Sequence, residues 1–172
     1  AFLEPALVNH DETDVVIVSL GALRNTEWLA GSGLGAGPRG IACDAGCRAF
    51  DIRGIVTGDI YAAGDVPRCP HPLFGYQFLS LEHWGNAVTQ AGVAAHNMLS
   101  ESTDRVPHME VPAFWSSQFG VNIKSVGIPS MGTEILICQG SLADHRFLGV
   151  YGYQGRVIGA VAFDHARWLP FY

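Results

Sequence analysis

In DIYAAGDVPRCPHP, Asp59 to Pro72, a carboxylate closes an apolar run. Ile60 to Ala63 read as a short buried strand, followed by Gly64, Asp65 and a loop with three prolines. An aspartate there has an ordinary use as a turn former or helix cap. It also has a chemical one. In open α/β sheets, ligands sit beyond the carboxyl ends of the strands. Gly64 lets a ligand approach the backbone closely. Asp65 would accept hydrogen bonds from sugar or ribityl hydroxyls. A helix starting near Glu82 would aim its N-terminal dipole at the same place. That field favours a developing negative charge, such as that on a reduced flavin ring.

Other chemistry-bearing residues point less clearly. Cys43 and Cys47 form a C-x₃-C pair, with Cys69 and Cys138 apart from it. A redox pair usually has C-x₂-C spacing, and a zinc site needs further ligands nearby. The four are therefore expected as reduced, structural thiols of a cytoplasmic protein. His10, His71, His83, His96, His108, His145 and His165 show no ligand spacing, and no metal site is expected. GSGLGA, Gly31 to Ala36, matches a dinucleotide fingerprint in letters only. It follows a helical stretch and runs into Gly37-Pro38, where the real motif follows a strand and opens a helix. A loop is expected instead.

The composition narrows the function classes. Of 172 residues, 48% are apolar, enough for a real core. The net charge of −6 and scattered basic residues exclude a nucleic-acid surface. No apolar run approaches a membrane span, and AFLEPALVNHDETD does not read as a signal peptide. Glycine is abundant, at 21 residues, without a repeat period.

The elements that would position these residues follow from pattern. DVVIVSLG, Asp14 to Gly21, reads as a buried parallel strand ending in a glycine turn. Asn25 to Gly33 reads as a short helix capped by Asn25 or Thr26, and Gly40 to Phe50 as a hairpin-like excursion. A loop is expected up to about Ser80. Leu81 to Leu99 reads as a helix with Trp84, Ala87, Val88, Ala91, Ala95, Met98 and Leu99 on one stripe. Ser100 to Pro112 reads as a linker. VNIKSVGI, EILICQG, RFLGVYGY and RVIGAVAF read as four short strands, the last two joined at Gln154-Gly155. Asp164 is placed to cap a final helix. The order suggests α/β followed by α+β.

DVVIVSLGALRNTEWL, DIYAAGDV, LEHWGNAVTQA and PAFWSSQFGVNIKSVG occur in an order and at intervals that resemble the FAD-dependent ferredoxin reductases of the putidaredoxin reductase and biphenyl-dioxygenase reductase type. Rubredoxin reductases are close relatives. A-x-G-D is shared by many two-dinucleotide flavoproteins. The E-x-W-x-N-A helix start with F-W-S-x-Q downstream is more specific.

The resemblance covers nearly the whole chain and implies a C-terminal portion. Residues 1–24 would be the tail of the NAD-binding domain, and 25–107 the second half of a partial Rossmann-like FAD-binding domain. Residues 108–172 would form a small α+β C-terminal domain with an antiparallel sheet, stopping before its usual end. The resemblance implies FAD and NAD(P)H as cofactors, and an iron–sulfur ferredoxin or rubredoxin as partner. Gly64 and Asp65 would hold the FAD ribityl-phosphate region. Trp84 would pack by the isoalloxazine ring, Glu82 would lie near the nicotinamide, and Gly21 would close on NAD. Trp115 would stand at the flavin edge where the partner docks. Plain roles remain open for several of these: core for Trp84 and Trp115, a first-turn helix acid for Glu82, a strand terminator for Gly21. The implied reaction is hydride transfer to flavin, then single-electron transfer, with no proton-shuttling side chain. Another flavoprotein reductase, of disulfide, peroxide or nitrite, is the alternative enzyme. A fragment that binds no FAD alone, and self-associates through an open sheet, is the non-catalytic alternative.

Overall fold

The computed structural model describes residues 14–172. Six short strands precede the helix: β1 (Ala36–Gly37), β2 (Gly40–Ala42), β3 (Arg48–Phe50), β4 (Val56–Tyr61), β5 (Pro67–His71) and β6 (Gln77–Leu79). The helix, α1, spans Trp84–Leu99. Five strands follow it: β7 (Ala113–Gln118), β8 (Val121–Gly127), β9 (Glu134–Ser141), β10 (Arg146–Tyr153) and β11 (Arg156–Phe163).

The first group forms a sheet in the order β1-β2-β5-β6 and a separate β3–β4 ladder. Among the described residues only β2 and β5 run parallel, pairing Ile41 with Pro67 and Ala42 with Arg68. The α/β reading thus reduces here to one parallel pair and one helix. A bridge between Cys43 and Ala49 closes the expected excursion from Gly40 to Phe50. Leu29, Ile41, Cys43, Ala49 and Cys69 make the core beneath it. Gly31 to Ala36 forms turns leading into β1 and opens no helix, as expected of a loop.

The expected loop 66–80 is instead a hairpin of β5 and β6 around a 3-10 turn, Pro72–Phe74. Proline is usually kept out of strands because it lacks an N–H donor. β5 sidesteps this on its β2 side, where the residues flanking Pro67 make the pairing and the missing N–H of Pro67 falls outside the ladder. Val66 and Arg68 accept from the N–H groups of Ile41 and Cys43, both at 2.9 Å. Pro67, Cys69 and His71 are buried alternately, at the strand period of two.

Three other expectations are corrected. Asp14 to Gly21 forms no strand, and Val16, Ile17, Val18 and Leu20 are exposed. β-branched residues favour a pleated, half-buried surface, and no strand among the described residues pairs with this run. The strand expected at Ile60 to Ala63 is displaced. β4 ends at Tyr61, runs antiparallel to β3, and exposes Gly58, Asp59 and Ile60 in its two-stranded ladder. The helix expected from Asn25 shrinks to a 3-10 turn, Glu27–Leu29. Thr26 precedes it without capping it; its hydroxyl donates to the Gly37 carbonyl at 2.9 Å.

α1 starts at Trp84 rather than Leu81, and its buried face is not the apolar stripe. Asn86, Gln90, Ala94 and Asn97 point inward, while Trp84, Val88, Met98 and Leu99 are exposed. Each inward amide makes at least one hydrogen bond, and Asn86 Oδ1 alone of their polar atoms is buried with no partner among the described residues. Asn86 Nδ2 donates to the Leu81 carbonyl at 2.9 Å. Gln90 Oε1 accepts from the Gly64 N–H at 2.9 Å. Asn97 Nδ2 donates to the carbonyls of Gly46 at 2.9 Å and Val106 at 2.8 Å, and its Oδ1 accepts from the Val106 N–H at 2.8 Å. Buried amides are tolerated when bonded in this way.

The second group is one antiparallel sheet in the order β7-β8-β11-β10-β9, over a core of Leu148, Val150, Ala160, Ala162 and Leu169. The four expected strands are present, and β7 adds a fifth. Gln154 and Gly155, at φ 50 and 73, turn β10 into β11 as expected. Two positive-φ residues at a two-residue turn match the twist of the flanking strands. Asp164 does not cap a helix. Its carboxylate accepts from the N–H and Nδ2 of Asn122, both at 3.0 Å, and the last turn, Ala166–Phe171, is 3-10 with His165 at its N-cap.

Candidate functional site

Gly64 sits at φ 91, in the left-handed region that favours glycine. A Cβ there would lie 3.8 Å from that of Ala87, so the first turn of α1 packs directly on it. Asp65 follows, with its side chain exposed. The backbone carbonyl of Asp65 accepts from Arg24 Nε at 3.0 Å, and another guanidinium nitrogen of Arg24 pairs with Glu82. Arg24 thereby brackets the Gly64-Asp65 turn to the residues ahead of α1. A cavity of about 440 Å³ is lined by Arg24, Asn25, Ala63, Asp65, Glu82 and Ala87, among others.

The structure thus brings Asp65 and Glu82 together. Glu82 lies ahead of the N-cap residue His83, so it is not a first-turn helix acid. Its charge engages the guanidinium, which leaves the exposed Asp65 carboxylate on the cavity wall with no partner among the described residues. That set suits hydroxyl donors better than phosphates. Gly21, at φ 91 and exposed, is one residue from Ala22 on the cavity wall; no strand precedes it to be terminated. Nothing in the sequence singles out Arg24, whose partners Asp65 and Glu82 lie far along the chain. An arginine that joins partners distant in the chain leaves no local motif.

Trp84 and Trp115 are brought together on a different side of the helix start. Their ring centroids lie 6.4 Å apart at 76°, an edge-to-face contact. Neither is core: Trp84 is 74% and Trp115 56% exposed. β7 is held against the helix start at two further points. The His83 ring lies 5.4 Å from that of Phe114, and a Cβ on Gly85 would lie 3.9 Å from the Trp115 ring.

Two clusters were not anticipated. Cys43, Cys47 and Cys69 are buried and unbridged. A hydrogen bond to Cys69, then burial, raises the Cys47 thiol far above the usual range; a hydrogen bond to Cys43 and burial raise Cys69. His71 and His108 lie with ring centroids 5.8 Å apart. Burial, the main cause, holds both below the usual imidazole range. Among the described residues no three His, Cys, Asp or Glu side chains gather so as to hold a metal ion. No helix among them is long and apolar enough to cross a membrane.

No protein-family model matches the chain. Over 156 residues it is 34% identical to the anthranilate 1,2-dioxygenase system ferredoxin–NAD(+) reductase component of Burkholderia cepacia, covering 90% of this chain and 35% of that protein. The chain therefore spans about a third of the length of this curated relative. It is 28% identical to the ferredoxin reductase for the CYP199A2 system of Rhodopseudomonas palustris, with a TM-score of 0.75 over 90% of this chain and 35% of that one. It is 26% identical to a structure of the covalent putidaredoxin reductase–putidaredoxin complex, with a TM-score of 0.71 over 88% of this chain and 33% of that one. An FAD-dependent pyridine nucleotide-disulphide oxidoreductase from Desulfovibrio vulgaris, 21% identical with a TM-score of 0.63 over 87% of this chain and 37% of that one, shares the fold. The resemblance read from the motifs holds, and the fold is that of pyridine nucleotide-disulphide oxidoreductases.

Proposed function

We propose that the chain is the C-terminal portion of an FAD-dependent reductase that passes electrons from NAD(P)H to an iron–sulfur ferredoxin or a rubredoxin. The carrying observation is the double use of one helix start. Arg24 gathers Asp65 and Glu82 on one side of it, and Trp84 meets Trp115, exposed, on the other. The similarity to ferredoxin reductases supports the same reading.

In this reading residues 1–24 close the nicotinamide domain, 25–107 complete the FAD domain and 108–172 form the C-terminal domain. FAD, when bound, accepts a hydride and releases single electrons. Gly64 gives the cofactor close access to the backbone, and Asp65 accepts from its ribityl hydroxyls; an exposed carboxylate with no partner among the described residues fits that task. Glu82, oriented by Arg24, faces the nicotinamide side, and Gly21 closes on it. Trp84 lies beside the ring system, and Trp115 marks the edge presented to the protein partner. No side chain is asked to move a proton. The Cys47 and Cys69 thiols are poor nucleophiles at their raised pKa, which disfavours disulfide chemistry at these two cysteines. Unbridged thiols support a cytoplasmic setting. The exposed run from Val16 to Leu20 supports self-association of the chain when isolated, readable by light scattering.

The test is expression of the complete reading frame that contains this chain. The expected product is yellow and reduces an iron–sulfur ferredoxin at the expense of NADH or NADPH. Asp65→Ala should lower its flavin content. A colourless product, or a flavoprotein that reduces only disulfides or peroxide, overturns the reading.

A further inference from the structure

We propose that His71 and His108 form an acid-sensitive latch that fastens residues 107–110, and through them the approach to β7, onto β5 and α1. The contacts are specific. The His108 N–H donates to the Ala45 carbonyl at 2.8 Å, and its ring Nε2 lies 3.1 Å from the Thr89 hydroxyl on α1. His71, on β5, places Nε2 3.0 Å from the carbonyl oxygen of Glu110. The two imidazoles thus face each other from the strand and the segment that it holds, with only 3% and 4% of their surfaces exposed.

The tautomer of His71 follows from its partner. A carbonyl only accepts, so Nε2 carries the proton in the neutral ring. Its Nδ1 is buried and has no hydrogen-bond partner among the described residues. A second proton must enter at that nitrogen, where it finds no acceptor. Both rings border a cavity of about 10 Å³, shared with Cys69, Leu79, Leu81 and Gln90, too small for a hydration shell. The surrounding groups give little compensation. β5 contributes Cys69, a neutral thiol; the 79–81 segment contributes leucines; α1 contributes Thr89 and Gln90, both uncharged. The Glu110 carboxylate is the favourable charge acting on His108, and the His71 ring opposes it. Charging either ring therefore favours the open form.

The sign of the pH effect is fixed by this burial. A histidine whose pKa is lowered in the docked state binds fewer protons there than when released. Docking is strongest above the ordinary histidine pKa of about 6.5 and weakens as pH falls below it. Next to the latch, Asn97 clamps Val106 through uncharged groups. That clamp is an internal control.

The experiment is amide hydrogen exchange on the full chain at pH 7 and pH 5, read as protection factors. The amide of His108 should lose at least tenfold in protection, and that of Val106 less than twofold. His71→Gln, whose side-chain amide still donates to the Glu110 carbonyl, should cut the His108 loss to under threefold. Unchanged protection at His108, or an equal loss at Val106, overturns the latch. If His71→Gln does not fold, the comparison of the two amides in the unaltered chain decides it alone.

Discussion

Arg24 holds Glu82 and the backbone of Asp65 at once, so one guanidinium joins residues far apart in the chain. Ion pairs of this exposure contribute little by themselves, about 0–1 kcal/mol. The Nε bond to a carbonyl adds a comparable amount, about 1 kcal/mol. Arg24→Ala should lower stability in urea by about 1–2 kcal/mol. Arg24→Lys should recover only part of it, because one ammonium cannot reproduce the planar fork. Full recovery by lysine would show that charge alone matters here.

The tryptophan pair separates folding from function. Both rings are largely exposed, so Trp115→Ala should change stability by no more than about 1 kcal/mol. The near-UV circular dichroism should lose the contribution of the coupled rings. In the proposed reductase the same substitution should slow ferredoxin reduction while leaving flavin content intact. A collapse of stability in Trp115→Ala would assign the residue to packing instead.

The Asp164–Asn122 contact gives the C-terminal sheet an acid limit. Hydrogen bonds from Asn122, backbone first, hold the Asp164 carboxyl below its ordinary value of 3.8. A lowered carboxylate pKa adds stability that is present above the unfolded value and lost as pH falls through the folded one. Acid titration should therefore loosen the β8–β11 end below about pH 4, read as loss of amide protection at Asn122. Asp164→Ala should show that loss already at pH 6.

The cysteines should sort by burial. At pH 8 a thiol reagent should modify Cys138 first, since it is the partly exposed one. Cys43, Cys47 and Cys69 should react only on unfolding, and Cys138→Ser should abolish the fast phase. Rapid modification of two or more thiols in the native chain would contradict the packing around Gln90 and Cys69.

The legible parts of this fold were those with a local cause. The β10–β11 hairpin declares itself by Gln154-Gly155 between alternating residues. The span of α1 is close to its pattern, but its orientation is not. Ala-rich spacing points to one face, and the structure buries Asn86, Gln90 and Asn97 instead: Gln90 and Asn97 find backbone partners distant in sequence, and Asn86 bonds back to Leu81 just ahead of the helix. β5 is hidden by its prolines, whose penalty applies only where an N–H is needed, and the pairing with β2 is made by the residues on either side of Pro67. At the candidate site, Gly64 and Asp65 could be named from AAGD. The Arg24 bracket and the His71–His108 pair could not, because neither has any sequence spacing to reveal it.

The strand order of the C-terminal sheet also bears on how the chain reaches its native state. β7-β8 and β9-β10-β11 are each built from neighbours in sequence, and β8–β11 is the ladder that joins them. Hairpins close in microseconds, whereas pairing across a longer loop must first overcome the entropy of closure. Two local meanders would thus form early, and their zipping along Ile123–Gly127 and Gly159–Phe163 would set the pace of folding.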